Sequence, residues 1–244
     1  MRAGGACEGS GRLWPVAAEV AAEVTTPGPV DHPLVAVLRG VKSSSCPGRL
    51  NFHCHTICSD GSLAPETLAD QAIELGLEHF AVTDHHSSQA LAPMQRHLDE
   101  RRQAGEPIPI LWSGVEISCL LEGCLVHVLG LGFEPGHAAL APYLAGHAVV
   151  GAALQAGAVV EAIHASAGLA LLAHPARYRR PYQQLIRAAA SLGFDGAEAF
   201  YDYEQSPRWA ASPLICEAIA SQLADLGLLC SCGTDTHGLQ LFGR

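Results

Sequence analysis

The sequence predicts an α/β fold, a barrel or barrel-like sheet of seven strands with helices between them. Three observations predict it. Seven short apolar runs of strand length recur between residues 50 and 235. Longer helical patterns separate most of them, the alternation expected of α/β folds rather than of separate sheet and bundle regions. His, Asp or Glu sits at or near the end of nearly every run.

Residues 1–30 are rich in Ala, Gly, Pro and Glu and show no useful period. They are expected to be a disordered or poorly packed extension. The domain proper is assigned to 31–244, with a short helix and a loop within 32–49 leading into the first strand. The strands are "LNFHC" (50–54), "HFAVTD" (79–84), "PILWSGVEIS" (109–118), "LVHVLGLGF" (125–133), "LALLAH" (169–174), "DGAEAF" (195–200) and "LLCSCGTD" (228–235). Helical patterns fill 65–77, 88–104, 149–167, 181–192 and 209–226. The first begins well, with Pro65 in the first turn and Glu66 after it. Between the third and fourth strands "LLEGCL" leaves room only for a tight turn at Gly123, which predicts a hairpin.

Composition narrows the function. Of 244 residues, 49% are apolar and 16% charged, and the net charge is 14 − 24 = −10. That excludes broad electrostatic binding to nucleic acid, which needs clustered Lys and Arg. It leaves room for a local site that holds cations. The nine cysteines form no CxxC pair. They read as reduced thiols of a cytoplasmic protein, with Cys54 facing away from its neighbours and Cys230 and Cys232 in the core. The N-terminus makes a poor signal peptide, and His147, Gln155, Glu161 and His164 interrupt the most apolar stretch, 138–173.

The chemistry begins at "NFHCHTICSDG". His53 and His55 alternate along a strand, so both imidazoles point to one face and can grip one cation. Asp60 follows in the loop. Strand two ends in Asp84, His85 and His86, and strand three carries Glu116. Strand four carries His127, strand five ends in His174, strand six carries Glu198, and strand seven ends in Asp235 and His237. In a parallel barrel such strand ends converge on one face. Packing that many ionisable groups together without a cation would be costly.

In order, "HCHTICSDG", "AVTDHH", "GVEIS", "VHVLG", "AHPARY" and "GTDTHG" resemble the motifs of the PHP (polymerase and histidinol phosphatase) superfamily. The branch resembled most is that of nucleoside 3',5'-bisphosphate phosphatases and RNA-end exonucleases. The resemblance implies a distorted seven-stranded barrel of the PHP type holding two or three divalent metals. It places His53, His55, Glu116 and Asp235 on one metal. Glu116 bridges to a second, held also by His127 and His174, and Asp60, His85 and His237 hold a third. Imidazoles and carboxylates suit manganese, zinc or iron.

The implied activity is hydrolysis of small phosphomonoesters, nucleoside bisphosphates or short RNA ends by a hydroxide bridging the cations. Two alternatives stand beside it: a histidinol-phosphate phosphatase, and a non-catalytic metal-binding module that regulates or scaffolds a partner. Arg177 is a candidate for holding a second phosphate, whereas Arg179 and Arg180 read as solvated. Asp84 is a candidate partner of a ligand histidine or a strand-end cap, and His86 a proton donor or surface residue. Glu198 either hydrogen-bonds a ligand or ends its strand. His79, His97, His137, His147 and His164 match no motif. The interval between His127 and His174 is shorter than the helical insertion of that branch, which bears on substrate selection rather than on the cluster.

Overall fold

The computed structural model describes residues 31–206 and 208–242. The extension assigned to 1–30 lies outside the described residues. The first helix, α1 (Pro33–Leu38), already buries Leu34, Val35 and Leu38 in the main core.

Eight strands and six α-helices follow the α/β pattern among the described residues, but not as a seven-stranded barrel. β1 (Leu50–Asn51), β2 (His79–Ala81) and β3 (Ile110–Trp112) form a parallel three-stranded sheet. β4 (Gly114–Leu121), β5 (Cys124–Leu131), β6 (Leu169–Leu172), β7 (Gly196–Phe200) and β8 (Leu229–Cys232) form a second sheet in that order. β4–β5 and β5–β6 are antiparallel, while β6–β7 and β7–β8 are parallel. Among the described residues the two sheets are linked by isolated bridges, Cys54 with Thr236 and His85 with Glu116, and by hydrogen bonds between 52–55 and 232–236, and no continuous ladder closes a barrel.

The extra strand arises because the run 109–118 divides at Ser113. Residues before it pair with β2, and residues after it turn to pair with β5. Ser113 anchors the division by donating its hydroxyl to Phe133 O at 2.6 Å. Gly114 allows it, since a Cβ there would lie 2.4 Å from Val82 O. The predicted hairpin is present, with Leu121 opposite Cys124 and positive φ at Glu122 and Gly123.

Helices α2 (Pro65–Glu74), α3 (Leu91–Gln103), α5 (Tyr182–Ser191) and α6 (Pro213–Asp225) lie where helical periodicity placed them. In α2, Pro65 starts the helix and Gly76, at φ +69°, ends it, with Leu77 N–H returning to Ala72 O. The predicted helix 149–167 is shorter than expected. Gln155 is extended and makes an isolated bridge to Leu120, so a 3₁₀ turn (Gly151–Leu154) precedes α4 (Ala156–Ala165).

Two apolar cores result. The larger surrounds β4–β8 and includes all four buried residues of β6, whose run "LALL" is covered on both faces. The smaller packs Leu68, Ala72, Phe80, Met94 and Leu98 around α2, α3 and β2. Past the short ladders, 52–55 and 232–236 run side by side. Phe52 N–H bonds Cys232 O, Asp235 N–H bonds His53 O, and His55 N–H bonds Thr236 O. Asn51 fastens this seam: its Nδ2 donates to Thr234 Oγ1 at 2.9 Å, and its Oδ1 accepts from Thr234 N–H at 3.1 Å.

Candidate metal centre

All nine residues assigned to metals converge on one site, and Glu116 lies at its centre, 1% exposed. Its two oxygens face different imidazoles. Oε2 lies 3.1 Å from His53 Nε2, 3.2 Å from His55 Nε2 and 3.5 Å from His85 Nδ1. Oε1 lies 2.7 Å from His127 Nδ1 and 3.2 Å from His174 Nε2. His127 arrives not from a strand end but from the middle of β5. The antiparallel register sets it opposite Ser118, two residues from Glu116 and so on the same face.

Asp235 completes the inner group, its Oδ1 3.3 Å from His53 Nε2 and 3.2 Å from His55 Nε2. At the rim, Asp60 lies 3.7 Å from His55 Nδ1, 3.8 Å from His85 Nε2 and 3.3 Å from His237 Nε2. Three groupings have donor atoms close enough to share a cation: His53, His55, Glu116 and Asp235; His55, Asp60, His85 and His237; and His85, Glu116 and His127. The first is the set expected from sequence. The second adds His55 to the expected rim set. In the third His85 stands where His174 was expected.

The residues present fit cations. Both ring nitrogens of His55 and Nδ1 of His174 are buried without a hydrogen-bond partner, although carboxylates face His55 on two sides. Orphaned buried nitrogens of this kind are rare unless something else takes their lone pairs. Charge gives the same answer. Burial opposes a proton on His53, yet Glu116, Glu198 and Asp235 outweigh it and hold its pKa well above the usual imidazole range. Burial likewise opposes a proton on His55, but the Asp235 and Glu116 carboxylates, each 3.2 Å from Nε2, raise its pKa to about 9. The same partnership overrides the burial that would raise Glu116 and Asp235, and both carboxyls lie well below the ordinary range. The centre is therefore built for positive charge, which protons supply when metals do not. His85 differs: burial brings it down to about 4, so its lone pair is free at neutral pH.

Around the centre the remaining candidates resolve. Glu198 does not simply end its strand: it bonds His53 Nδ1 at 3.1 Å and accepts from His174 N–H at 2.9 Å. It thereby holds a proton on Nδ1 and turns His53 Nε2 toward the cluster, the role such carboxylates play behind metal-bound histidines. Asp84 holds a loop rather than a histidine. It accepts from Thr56 N–H at 2.7 Å, Thr56 Oγ1 at 2.6 Å and Ser59 Oγ at 2.7 Å, fixing the turn that presents Asp60. His86 is buried rather than on the surface, with Nε2 against Ser118 Oγ at 3.3 Å and Ser118 N–H at 3.4 Å.

Arg177 points inward with one nitrogen. Its Nη1 donates to Asp235 Oδ2 at 2.7 Å and Tyr201 Oη at 2.8 Å, and Tyr201 donates to the same Oδ2 at 2.7 Å. Asp235 thus offers Oδ1 to the cluster while Oδ2 is clamped from behind. Sequence reasoning missed Tyr201; its only signal is its place one residue past the end of β7. Tyr201→Phe is expected to weaken metal binding about 10-fold, in the range found when partners behind a ligand are lost. Titration against a chelating dye checks it, and an unchanged affinity would remove Tyr201 from this role.

The histidines matching no motif have ordinary duties. His79 accepts from Trp112, His97 and His164 pair with Asp70 and Asp195, and His137 caps a 3₁₀ turn. Cys54 turns away from its neighbours to donate to Ala81 O. The eight described cysteines are free, and no helix among the described residues is long and apolar enough to cross a membrane.

Close approach of backbone also shapes the site. A Cβ on Gly233 would lie 2.2 Å from His53 Cβ, and one on Gly61 2.5 Å from the His55 carbonyl carbon. Gly233→Ala should displace His53, costing roughly 1–3 kcal/mol as overpacking does. A thermal melt and metal analysis should show lower stability and lower metal content together.

A profile of the PHP domain family matches residues 51–233. The 5'-3' exoribonuclease Rnm of Escherichia coli (strain K12) is 36% identical over 95 residues, 39% of this chain and 31% of that protein. The 3',5'-nucleoside bisphosphate phosphatase of Chromobacterium violaceum is 35% identical over 92 residues, 38% of this chain and 30% of that protein. The chain thus matches about a third of the length of these curated relatives. Among solved structures, a Bifidobacterium adolescentis protein with a provisional assignment as a metal-dependent phosphoesterase has a TM-score of 0.64 at 19% identity, covering 81% of this chain and 90% of that one. An amidohydrolase from Chromobacterium violaceum, solved with sulfate and no metal, has a TM-score of 0.64 at 21% identity, covering 78% and 88%. These two likenesses show a shared fold.

Proposed function

The chain belongs to the PHP domain family, and on that premise we propose that it hydrolyses phosphate esters at a cluster of two or three divalent cations. The observation that carries this reading is Glu116, a buried carboxylate whose two oxygens face two separate sets of imidazoles. That is the geometry of a group shared between two cations. His53, His55 and Asp235 would complete one position, His127 and His174 the second, and Asp60, His85 and His237 a third nearer solvent. His85 also lies within reach of the second. Manganese, zinc or iron suits this donor set.

Bound cations would activate water and neutralise charge on the reacting phosphoryl group. The chain's own residues position and exclude. Glu198 keeps the proton of His53 on Nδ1, Tyr201 and Arg177 fix Asp235, and Asp84 holds the loop of Asp60. Burial of His53, His55 and Glu116 keeps bulk water behind the cluster, while the partly exposed Asp60, His85, His127 and His237 open it to substrate.

The named relatives act on RNA ends and on nucleoside bisphosphates. Small phosphomonoesters of that kind, or the end of a short RNA, are the substrates proposed here, in a cytoplasmic setting. The test is a turnover screen on metal-reconstituted protein with aryl phosphate, histidinol phosphate, a nucleoside 3',5'-bisphosphate and a 5'-phosphorylated oligoribonucleotide. Release of phosphate or nucleotide that follows metal loading supports the reading. No turnover on any of the four at full metal occupancy would sink it.

A further inference from the structure

The third cation position lies nearest solvent, with the side chains of Asp60 and His237 57% and 38% exposed. His237 belongs to no helix or strand. Its ring donates from Nδ1 to Asp235 O at 2.9 Å, which leaves the lone pair of Nε2 toward Asp60, 3.3 Å away. The ring also stacks on His55, with centroids 4.1 Å apart. Neither contact fixes the chain that carries the ring. That is done from α2.

Gln71 of α2 uses both ends of its amide on this segment. Its Nε2 donates to Leu239 O at 3.0 Å, and its Oε1 accepts from Leu241 N–H at 2.7 Å. These partners lie just past His237 in the chain but 168 and 170 residues from Gln71. Thr236 closes the other side, its Oγ1 3.1 Å from Leu241 O. Leu241 itself is fully buried, in the smaller core with Leu68 and Ala72 of the same helix. A segment without a ladder of its own must find partners for its backbone elsewhere, and one glutamine supplies a donor and an acceptor at once.

The other two residues of this position lead to the same core. Asp60 lies in the loop that enters α2 past Leu63, and His85 follows β2 past Val82, and both Leu63 and Val82 belong to the smaller core. Glu116, His127 and His174 instead stand on or just after β4, β5 and β6, whose apolar residues form the larger one. The outer position is thus mounted on a different part of the molecule from the carboxylate at the centre.

We propose that Gln71 is a positioning residue for the third cation position. Through the segment 237–241 it sets His237 against Asp60, so that occupancy of this position is separable from that of the inner pair. The inference rests on the cluster reading of the centre and goes beyond it, since among the described residues Gln71 makes no hydrogen bond to any of the nine candidate ligands.

The test titrates metal-free, full-length protein with zinc against a chromophoric chelator and counts equivalents by elemental analysis. Wild-type protein is expected to take up three equivalents, the third most weakly. Gln71→Ala should weaken the third about 10-fold, as losing a partner behind a ligand does, and leave the first two within about 2-fold. Gln71→Glu keeps the length and the acceptor but not the donor, and should also weaken the third; it carries the test if Gln71→Ala does not fold. Hydrogen exchange of the metal-free protein adds a readout that needs no cation: in Gln71→Ala the Leu241 amide should lose protection while those of β4 and β5 keep theirs. Gln222→Ala is the control, because it removes a like bond, from Nε2 to Gln183 O at 2.9 Å, between α6 and α5. A third equivalent unchanged in the folded variants, equal weakening of all three, or the same loss in Gln222→Ala would overturn the inference, as would wild-type protein that takes up only two. Protein that takes up no zinc would overturn the cluster reading beneath it. Three equivalents and the Gln71 effect without turnover on any ester would leave the inference standing and overturn the hydrolytic reading.

Discussion

Glu116→Gln should abolish hydrolysis, lowering kcat by at least about 1,000-fold. The substitution keeps the shape and removes the charge that the proposed pair of cations would share. Loss of several kcal/mol of transition-state stabilisation corresponds to three or more decades in rate, at about 1.36 kcal/mol per decade. Metal content should fall with it. Glu198→Gln is the informative contrast. Its side chain lies behind His53 and touches the cluster only through that ring and the His174 backbone. Its loss should be about 10- to 100-fold. Circular dichroism would confirm that both variants are folded. Equal losses in two folded variants would mean that Glu116 is not the shared carboxylate.

Removing the metals should lower the melting temperature substantially, and by more at high pH. Ligand at about 1,000 times its Kd adds about 4 kcal/mol to stability. For a domain of this size each kcal/mol shifts the melting temperature by roughly 2–4 °C, so the drop on chelation is about 8–16 °C. The pH dependence has a definite sign. His53 and His55 have raised pKa values in the folded, metal-free protein. Their stabilising contribution is full below the ordinary imidazole value of 6.5 and is lost as pH rises through about 9 for His55. Glu116 and Asp235, with lowered values, contribute above the ordinary carboxylate range and lose their contribution only in acid.

Metal-free protein should therefore melt at a lower temperature at pH 9 than at pH 6.5. Metal affinity runs the other way, because binding must displace the protons of the same two histidines. The gap between loaded and stripped protein should widen from pH 6.5 to 9. A gap that narrows over this range would mean that protons do not occupy the sites meant for metals.

Much of this centre was legible in the sequence because strand periodicity fixes which side chains share a face. His53 and His55 had to point together, and their ring centroids lie 5.3 Å apart. The hairpin was legible from Gly123 and the shortness of "LLEGCL". The break at Ser113 was not, because the run 109–118 is continuous in hydropathy and the break depends on which strand each half pairs with. The 3₁₀ turn before α4 was hidden for a similar reason: Gln155 leaves the helix to meet Leu120, a partner 35 residues away. Tyr201 was invisible because an aromatic residue after a strand more often packs than holds a carboxylate. From "HPARY" Arg177 was expected to hold a phosphate, and sequence alone gave no sign that Asp235 would occupy its Nη1.

Asn51 and Thr234 are separated by 183 residues, and the seam they fasten brings His53 and His55 beside Asp235. Glu116 and His127, by contrast, come from one hairpin and meet after a separation of only 11. The two halves of the centre thus belong to opposite extremes of contact order. The hairpin half can assemble early from a local stretch of chain, whereas the half built on His53 must wait for a loop of 183 residues to close. Cation uptake is then a late event in folding, and it marks the moment when the two ends of the domain have met. In stopped-flow refolding, release of a metal-sensing dye's signal should track the slowest folding phase rather than the first gain of secondary structure.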